Sequence, residues 1–327
     1  MKKIIIYLIT ATCLLTTYSC KNEHKKKNPD ENPTIEAPAF DADSAFAFVR
    51  AQTDFGPRVM GSAAHEQCRD YLLAKLASFC DTAFAQNFTA TTYDGKHFPA
   101  QNIIASFNVD NPNRIVLSSH WDSRPFADHD PNPSNRDKAI DGANDGASGV
   151  GVLIEIARQL HANRPEIGID IVLFDAEDYG PKEGENVPGE WWGLGSQYWA
   201  KNPHCPDYAA RFGILLDMVG SANACFMQES FSVRDAQSVV SEVWSTAYEL
   251  GYGNVFLNQP GGIITDDHYY VNKYSNIRMI DIIHYDSTSG TGFDPTWHTM
   301  NDNISHIDKN SLEIVGKTLL QVIKKEQ

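Results

Sequence analysis

The sequence predicts an α/β fold, a three-layer α/β/α sandwich around a mixed, largely parallel central sheet. Three observations point there. Short hydrophobic runs of strand length alternate with stretches of helical apolar spacing. Several of those runs end in His, Asp or Glu, which gathers polar chemistry at the carboxyl edge, where open α/β sheets bind ligands. The chain has 327 residues, 42% of them hydrophobic, enough apolar material for one large core.

The chain opens on Met1-Lys-Lys3, an apolar run from Ile4 to Leu15, and Thr16-Thr-Tyr-Ser-Cys20. This is the pattern of a secretory signal peptide over residues 1–19, too short to span a bilayer comfortably. Ser19-Cys20 resembles a bacterial lipid-attachment site. The expectation is an exported, periplasmic protein whose membrane contact is a lipid anchor on Cys20. Residues 20–38 are charged and carry prolines, as a flexible tether does. Residues 39–327 form the expected single catalytic domain.

Helical spacing is read at Phe40–Gln52 and Ala63–Phe79, and strands at Asn102–Phe107 and Ile115–Ser119 with an Asn111-Pro-Asn113 turn between. A helix over Val150–His161 leads to a strand at Gly168–Asp175, a Gly/Pro/Glu-rich stretch over 179–192, and a helix from Gly195. Phe212–Asp217 is a strand, Val233–Leu250 a helix, Arg278–His284 a strand and Ser311–Lys325 the closing helix. A short helix follows Asp266-Asp267-His268, and Thr288–His298 is a loop.

The formal charge of −15 argues against nucleic-acid binding. Cys68, Cys80, Cys205 and Cys225 show no Cys-x-x-Cys spacing and read as mostly buried free thiols. A serine nucleophile lacks its Gly-x-Ser-x-Gly elbow.

Chemistry concentrates around Asp141-Gly-Ala-Asn-Asp-Gly-Ala-Ser-Gly149 and His120-Trp-Asp122. His120, Asp175/Glu177/Asp178 and Asp217 all sit at strand ends, while Asp145 and His298 lie in loops able to reach the same edge. Imidazole nitrogen with carboxylate oxygen is a zinc-type ligand set. Neighbouring carboxylates cannot easily share one ion, so one of Glu177 and Asp178 is a ligand and the other a free acid/base. Asp122 and Ser123 would hydrogen-bond His120, and Asp141 would brace the loop or join the chemistry.

His120-Trp-Asp122, Asp145-Gly146, Glu177-Asp178, Asp217 and His298 resemble, in order, the ligand pattern of the co-catalytic zinc aminopeptidase family. Trp297 before His298, Phe293, Trp191/Trp192 and Asp266-Asp267-His268 resemble its glutaminyl cyclase branch. The resemblance implies one zinc held by Asp145, Asp178 and His298, with Glu177 as acid/base and Asp217 and Asp266 as catalytic carboxylates. It implies a substrate slot of Trp191, Trp192, Trp297 and Phe293, one of the two adjacent tryptophans being its wall. His120 would be a vestige of a second metal site, and Asp281 stands where animal cyclases carry a histidine. The implied reaction converts the N-terminal glutamine of peptides to pyroglutamate, by a monomer. The alternatives are a di-zinc aminopeptidase and a catalytically silent binding module.

Overall fold

A computed structural model describes residues 35–327; the leader, Cys20 and the tether up to residue 34 lie outside the described residues. The main sheet has six strands: β1 (Thr82–Thr91), β2 (His97–Phe107), β3 (Arg114–His120), β4 (Gly168–Phe174), β5 (Gly213–Asp217) and β8 (Met279–Ile283). Their spatial order is β1-β2-β4-β3-β5-β8. β4, β3, β5 and β8 run parallel, whereas β2 pairs antiparallel with both β1 and β4. The sheet is therefore mixed and largely parallel.

Strand periodicity divides the core. In β3, Ile115 and Leu117 face one layer and Val116 the other; β4 does the same with Ile169, Ile171 and Leu173 against Val172 and Phe174. This is the alternation of a sheet buried on both faces. The larger layer holds α1 (Ala42–Thr53), α2 (Ala63–Ala77), α3 (Ala147–Ala162), α5 (Ser230–Glu249) and α7 (Lys309–Lys325). The smaller layer packs Trp199 of α4 (Leu194–Lys201) and Val271 of α6 (Asp267–Tyr274) onto Val116, Phe174 and Leu215. Side-chain caps start α1 and α2: Asp41 accepts from Asp43 N and Ser44 N, and Ser62 from His65 N.

Three strands escape the sequence pattern. β1 is an edge strand with most positions exposed or half-buried, so it lacks an apolar run. β6 (Phe226–Gln228) and β7 (Phe256–Pro260) are short and pair with each other as a small parallel ribbon, with one antiparallel bridge from Phe226 to His284. β2 and β3 are consecutive, yet β4 lies between them. Among the described residues the cysteines are all free, but only Cys68 is buried; Cys80 and Cys225 are half-buried and Cys205 is exposed. Burial pushes the Cys68 and Cys80 thiols up to about 12, which suppresses the reactive thiolate.

At the sheet's other end, Arg114 donates from Nε and Nη2 to Asp170, 2.6 and 2.7 Å away, and Ser106 Oγ donates to the same carboxylate. Removing one partner of a buried ion pair strands the other. Asp170→Ala should lower unfolding free energy by about 3–5 kcal/mol in urea titration; a change under about 1 kcal/mol would show that Arg114 finds water instead. On the surface, burial and a hydrogen bond from the neighbouring Glu326 carboxyl push Glu242 up to about 7. The native state then holds a proton that the unfolded chain has lost above ~4.3, so stability falls as pH rises towards 7. Glu242→Gln should raise the melting temperature at pH 8 and not at pH 4; an equal effect at both would contradict the shared proton.

Candidate metal centre and active-site cleft

The carboxyl edge of the parallel strands gathers the chemistry. His120 ends β3, Glu177-Asp178 follow β4, Asp217 ends β5, and Asp145 lies in the loop entering α3. All five are buried, as are Asp266 and His298. The chain turns sharply to deliver them: Ala176 and Met218, beside Glu177 and Asp217, and His298 itself all have positive φ, at 59°, 48° and 54°. Such strain in non-glycine residues persists only where the surroundings impose it. Gly146 matters for another reason. A Cβ there would stand 2.4 Å from His120 Nε2, so only glycine lets loop and imidazole meet.

Two trios share Asp145. In one, His298 Nε2 stands 3.5 Å from Asp145 Oδ2 and 3.4 Å from Asp178 Oδ1. In the other, His120 Nε2 stands 2.9 Å from Asp145 Oδ1 and 3.1 Å from Asp217 Oδ1. Within each trio the ligand atoms lie within 4.8 Å of one another. The spacings differ in kind. Four tetrahedral bonds of ~2.0–2.1 Å to zinc put donor atoms ~3.3–3.4 Å apart, which matches the His298 trio. The His120 distances are those of charge-assisted hydrogen bonds. Asp178 Oδ2 is buried without a hydrogen-bond partner, as a donor to a cation would be. The residues of the His298 trio therefore fit zinc.

Supporting residues hold these donors, and most of them carry no recognisable sequence motif. Asp122 accepts from Glu177 N and Asp178 N at 3.1 and 3.2 Å and lies 3.5 Å from His120 Nδ1. Ser123, expected beside His120, instead donates to Ile140 O and accepts from Arg58 N. The buried Arg58 donates to the carbonyls of Trp121, Asp141 and Gly142. Asp141 thus contributes its backbone, and its half-buried side chain joins neither trio. Asp302 accepts from Asn144 N and Asp145 N at 2.7 and 3.2 Å. Arg124 donates to both oxygens of Asp128 and to Asp178, and Asp128 lies 3.4 Å from His298 Nδ1, a carboxylate–histidine arrangement that orients a metal ligand. For Arg124 and Asp128 the i, i+4 spacing was the available sequence signal, as the His120-Trp-Asp122 motif was for Asp122.

Asp281 does not accompany His120. It lies with Asp266 and His268, its Oδ2 3.7 Å from His268 Nδ1. Asp266 caps α6, while Glu229 accepts from His268 Nε2 and Ile264 N at 3.0 and 3.1 Å and fixes the loop between them.

A cleft of about 460 Å³ opens over the centre, with Asp145, Glu177, Asp178, Asp217, Asp266 and His298 among its lining. Trp191, Trp192, Phe293 and Trp297 all line it. The Trp297 ring stacks on His298 at 3.7 Å between centroids, and Phe293 packs on Trp297 at 4.6 Å. Trp192 runs parallel to the His298 ring at 6.4 Å with the Arg124 guanidinium 4.9 Å over its face. Trp191 is further out, its Nε1 donating to Pro188 O.

Crowding sets the protonation. Burial, with the charges of Asp266 and Asp178, raises the Glu177 carboxyl well above its ordinary value, against a lowering by His120. Burial pushes Asp217 up to about 7 even though His120 donates to it. His120 is driven the other way: burial opposes its charge, but hydrogen bonds to the carboxylates of Asp122, Asp145 and Asp217 outweigh this and favour imidazolium.

Fold and donor set together describe a zinc-type α/β enzyme. The chain belongs to Peptidase family M28, which it matches over residues 102–323. It is 51% identical to Tannerella forsythia glutaminyl cyclase, with a TM-score of 0.87 over 89% of this chain and 100% of that one. It is 52% identical to a Zn-dependent exopeptidase from Parabacteroides distasonis, with a TM-score of 0.86 over 88% and 99%. Bos taurus glutaminyl-peptide cyclotransferase is 25% identical over 274 residues, covering 70% of this chain and 66% of the bovine protein. The chain thus spans just under two thirds of that relative's length. The family and the zinc-dependent relative imply zinc for this centre.

Asp302 gives the scaffold a direct test. Burial pushes its carboxyl up to about 8, and its two oxygens each accept one backbone N–H, of which an amide keeps one acceptor and alanine none. Asp302→Ala should lower stability by about 1–3 kcal/mol through two stranded N–H donors, and Asp302→Asn by less. Equal losses for both, measured by denaturant unfolding, would contradict this acceptor role.

Proposed function

We propose that the protein is a glutaminyl-peptide cyclotransferase, closing the N-terminal glutamine of peptides and proteins to pyroglutamate and releasing ammonia. The observation that carries this reading is the Glu177 carboxyl, buried beside a three-donor metal site in a tryptophan-walled cleft. One zinc is held, by Asp145, Asp178 and His298; when bound it supplies Lewis-acid polarisation of the substrate γ-carbonyl. The donor spacings support one ion, because His120 meets Asp145 and Asp217 at hydrogen-bonding distance and closes the second trio without a metal.

The nucleophile is the substrate's own α-amine, already tethered to the carbon it attacks, so proximity is built into the substrate. The α-nitrogen bonds to the γ-carbonyl carbon, and the bond from that carbon to the amide nitrogen breaks. Glu177 takes the proton from the α-nitrogen and returns it to the departing ammonia. Its raised proton affinity suits both halves of that transfer, which is worth typically ~10²–10⁴-fold. Asp266, near Asp217 and Asp281, accepts from the γ-amide N–H groups and fixes the amide. Trp192, Trp297 and Phe293 enclose the side chain and exclude the water that would give glutamate instead.

The leader over residues 1–19 and Cys20 place the enzyme in the periplasm, with a lipid on Cys20 as its membrane contact. Among the described residues no helix is long and apolar enough to cross a membrane. The whole site comes from one chain, and the working unit is a monomer.

A second reading, a di-zinc aminopeptidase with Glu177 acting on water, is favoured by the His120 trio and by the exopeptidase relative. The two separate on one assay. The purified protein should release ammonia from Gln-initiated peptides, leave a blocked N-terminus, and free no amino acid from leucyl substrates; efficient leucine release would install the aminopeptidase. Glu177→Gln should retain zinc while kcat falls about 10²–10⁴-fold, and unchanged turnover would remove its proton-carrying role.

A further inference from the structure

The floor of the cleft is buried and holds one residue's chemistry, but its rim is built from an exposed loop. Pro181–Gly189 contributes Glu183 and Glu185 to the cleft wall. Both are exposed, Glu183 with a side chain 67% accessible. The loop is fixed rather than trailing: Arg124 Nη2 donates to Pro181 O, Glu183 N donates to Asp128 Oδ2, and Lys182 and Glu185 bond each other's backbone. Its carboxylates therefore keep their place beside any chain leaving the cleft.

Neither rim acid has a full cationic partner. Lys182 on the same loop is taken by Asp137 and lies over the Phe126 ring. Glu183 has only His129 Nε2, 3.5 Å away. Glu185 accepts only from the Lys182 backbone. Elsewhere on the lining stands Ile263, 75% exposed. An aliphatic stem and a cationic head both find a counterpart on this rim, as lysine and arginine side chains require.

Resting on the cyclotransferase reading, we propose that Glu183 and Glu185 form a specificity rim that selects peptides with a basic residue directly after the N-terminal glutamine and disfavours an acidic one. Exposed charges at this range act weakly and are screened by salt, so the expected preference is about three- to tenfold.

The test compares kcat/KM for Gln-Lys-Ala, Gln-Ala-Ala and Gln-Glu-Ala amides, followed by ammonia release, in wild type and in the E183Q/E185Q double variant. The order should be Lys over Ala over Glu in wild type. The Lys-to-Glu ratio should shrink towards one in the double variant and in 0.5 M salt, where the Debye length is only ~4–5 Å. The overall charge of −15 attracts any cationic peptide, and the double variant separates the rim from that background. Cyclisation of all three peptides at equal kcat/KM, or a ratio unchanged by E183Q/E185Q, overturns this inference alone. Absence of ammonia from all three overturns the cyclotransferase reading and the inference with it.

Discussion

The structure turns on a single electrostatic constraint: many carboxyl groups buried together at one sheet edge must be neutralised. Asp145, Glu177, Asp178, Asp217, Asp266, Asp281 and Asp302 are all buried there. An unpaired carboxylate out of water is costly enough that it pairs, binds metal or takes up a proton. The fold uses all three remedies. His120 and Arg124 pair with some of them, burial and neighbouring charges raise the proton affinity of Glu177 and Asp281, and the His298 trio has donors at metal spacing. That division assigns the chemistry, because a carboxyl that neither pairs nor ligates is the one left to carry a proton.

Precision comes from groups that never touch substrate. Asp122 receives the backbone of Glu177 and Asp178, Asp302 receives that of Asn144 and Asp145, and Arg58 ties the same loop to Trp121 through the carbonyls of Asp141, Gly142 and Trp121. Arg124 joins Asp178, Asp128, Pro181 and the Trp192 face, linking centre, orienting carboxylate, rim loop and slot through one guanidinium. Interactions of this type hold a site to the tolerance that catalysis demands.

What the sequence disclosed follows from how local each signal is. Strands buried on both faces announce themselves as apolar runs, and a ligand at the end of such a run is placed by topology alone, so His120, Glu177, Asp178 and Asp217 were legible. Edge strand β1 and the ribbon of β6 and β7 have no such run and were silent. A loop residue carries no periodicity, so Asp145 and His298 entered only as loop donors able to reach the same edge, and Asp266 through resemblance. Asp302 and Arg58 were invisible because their partners are backbone atoms more than 60 residues away. The separation of Asp281 from His120 depends on which side of β8 the side chain leaves, and on Glu229 anchoring His268 from another element.

The central claim is that the neutralising ion is single and belongs to the His298 trio. Zinc content per folded chain, measured by elemental analysis on wild type, His298→Ala and His120→Asn, addresses it directly. The account predicts one zinc in wild type, one in His120→Asn and none in His298→Ala. Two zinc ions in wild type, or one retained after loss of the His298 imidazole, would contradict it.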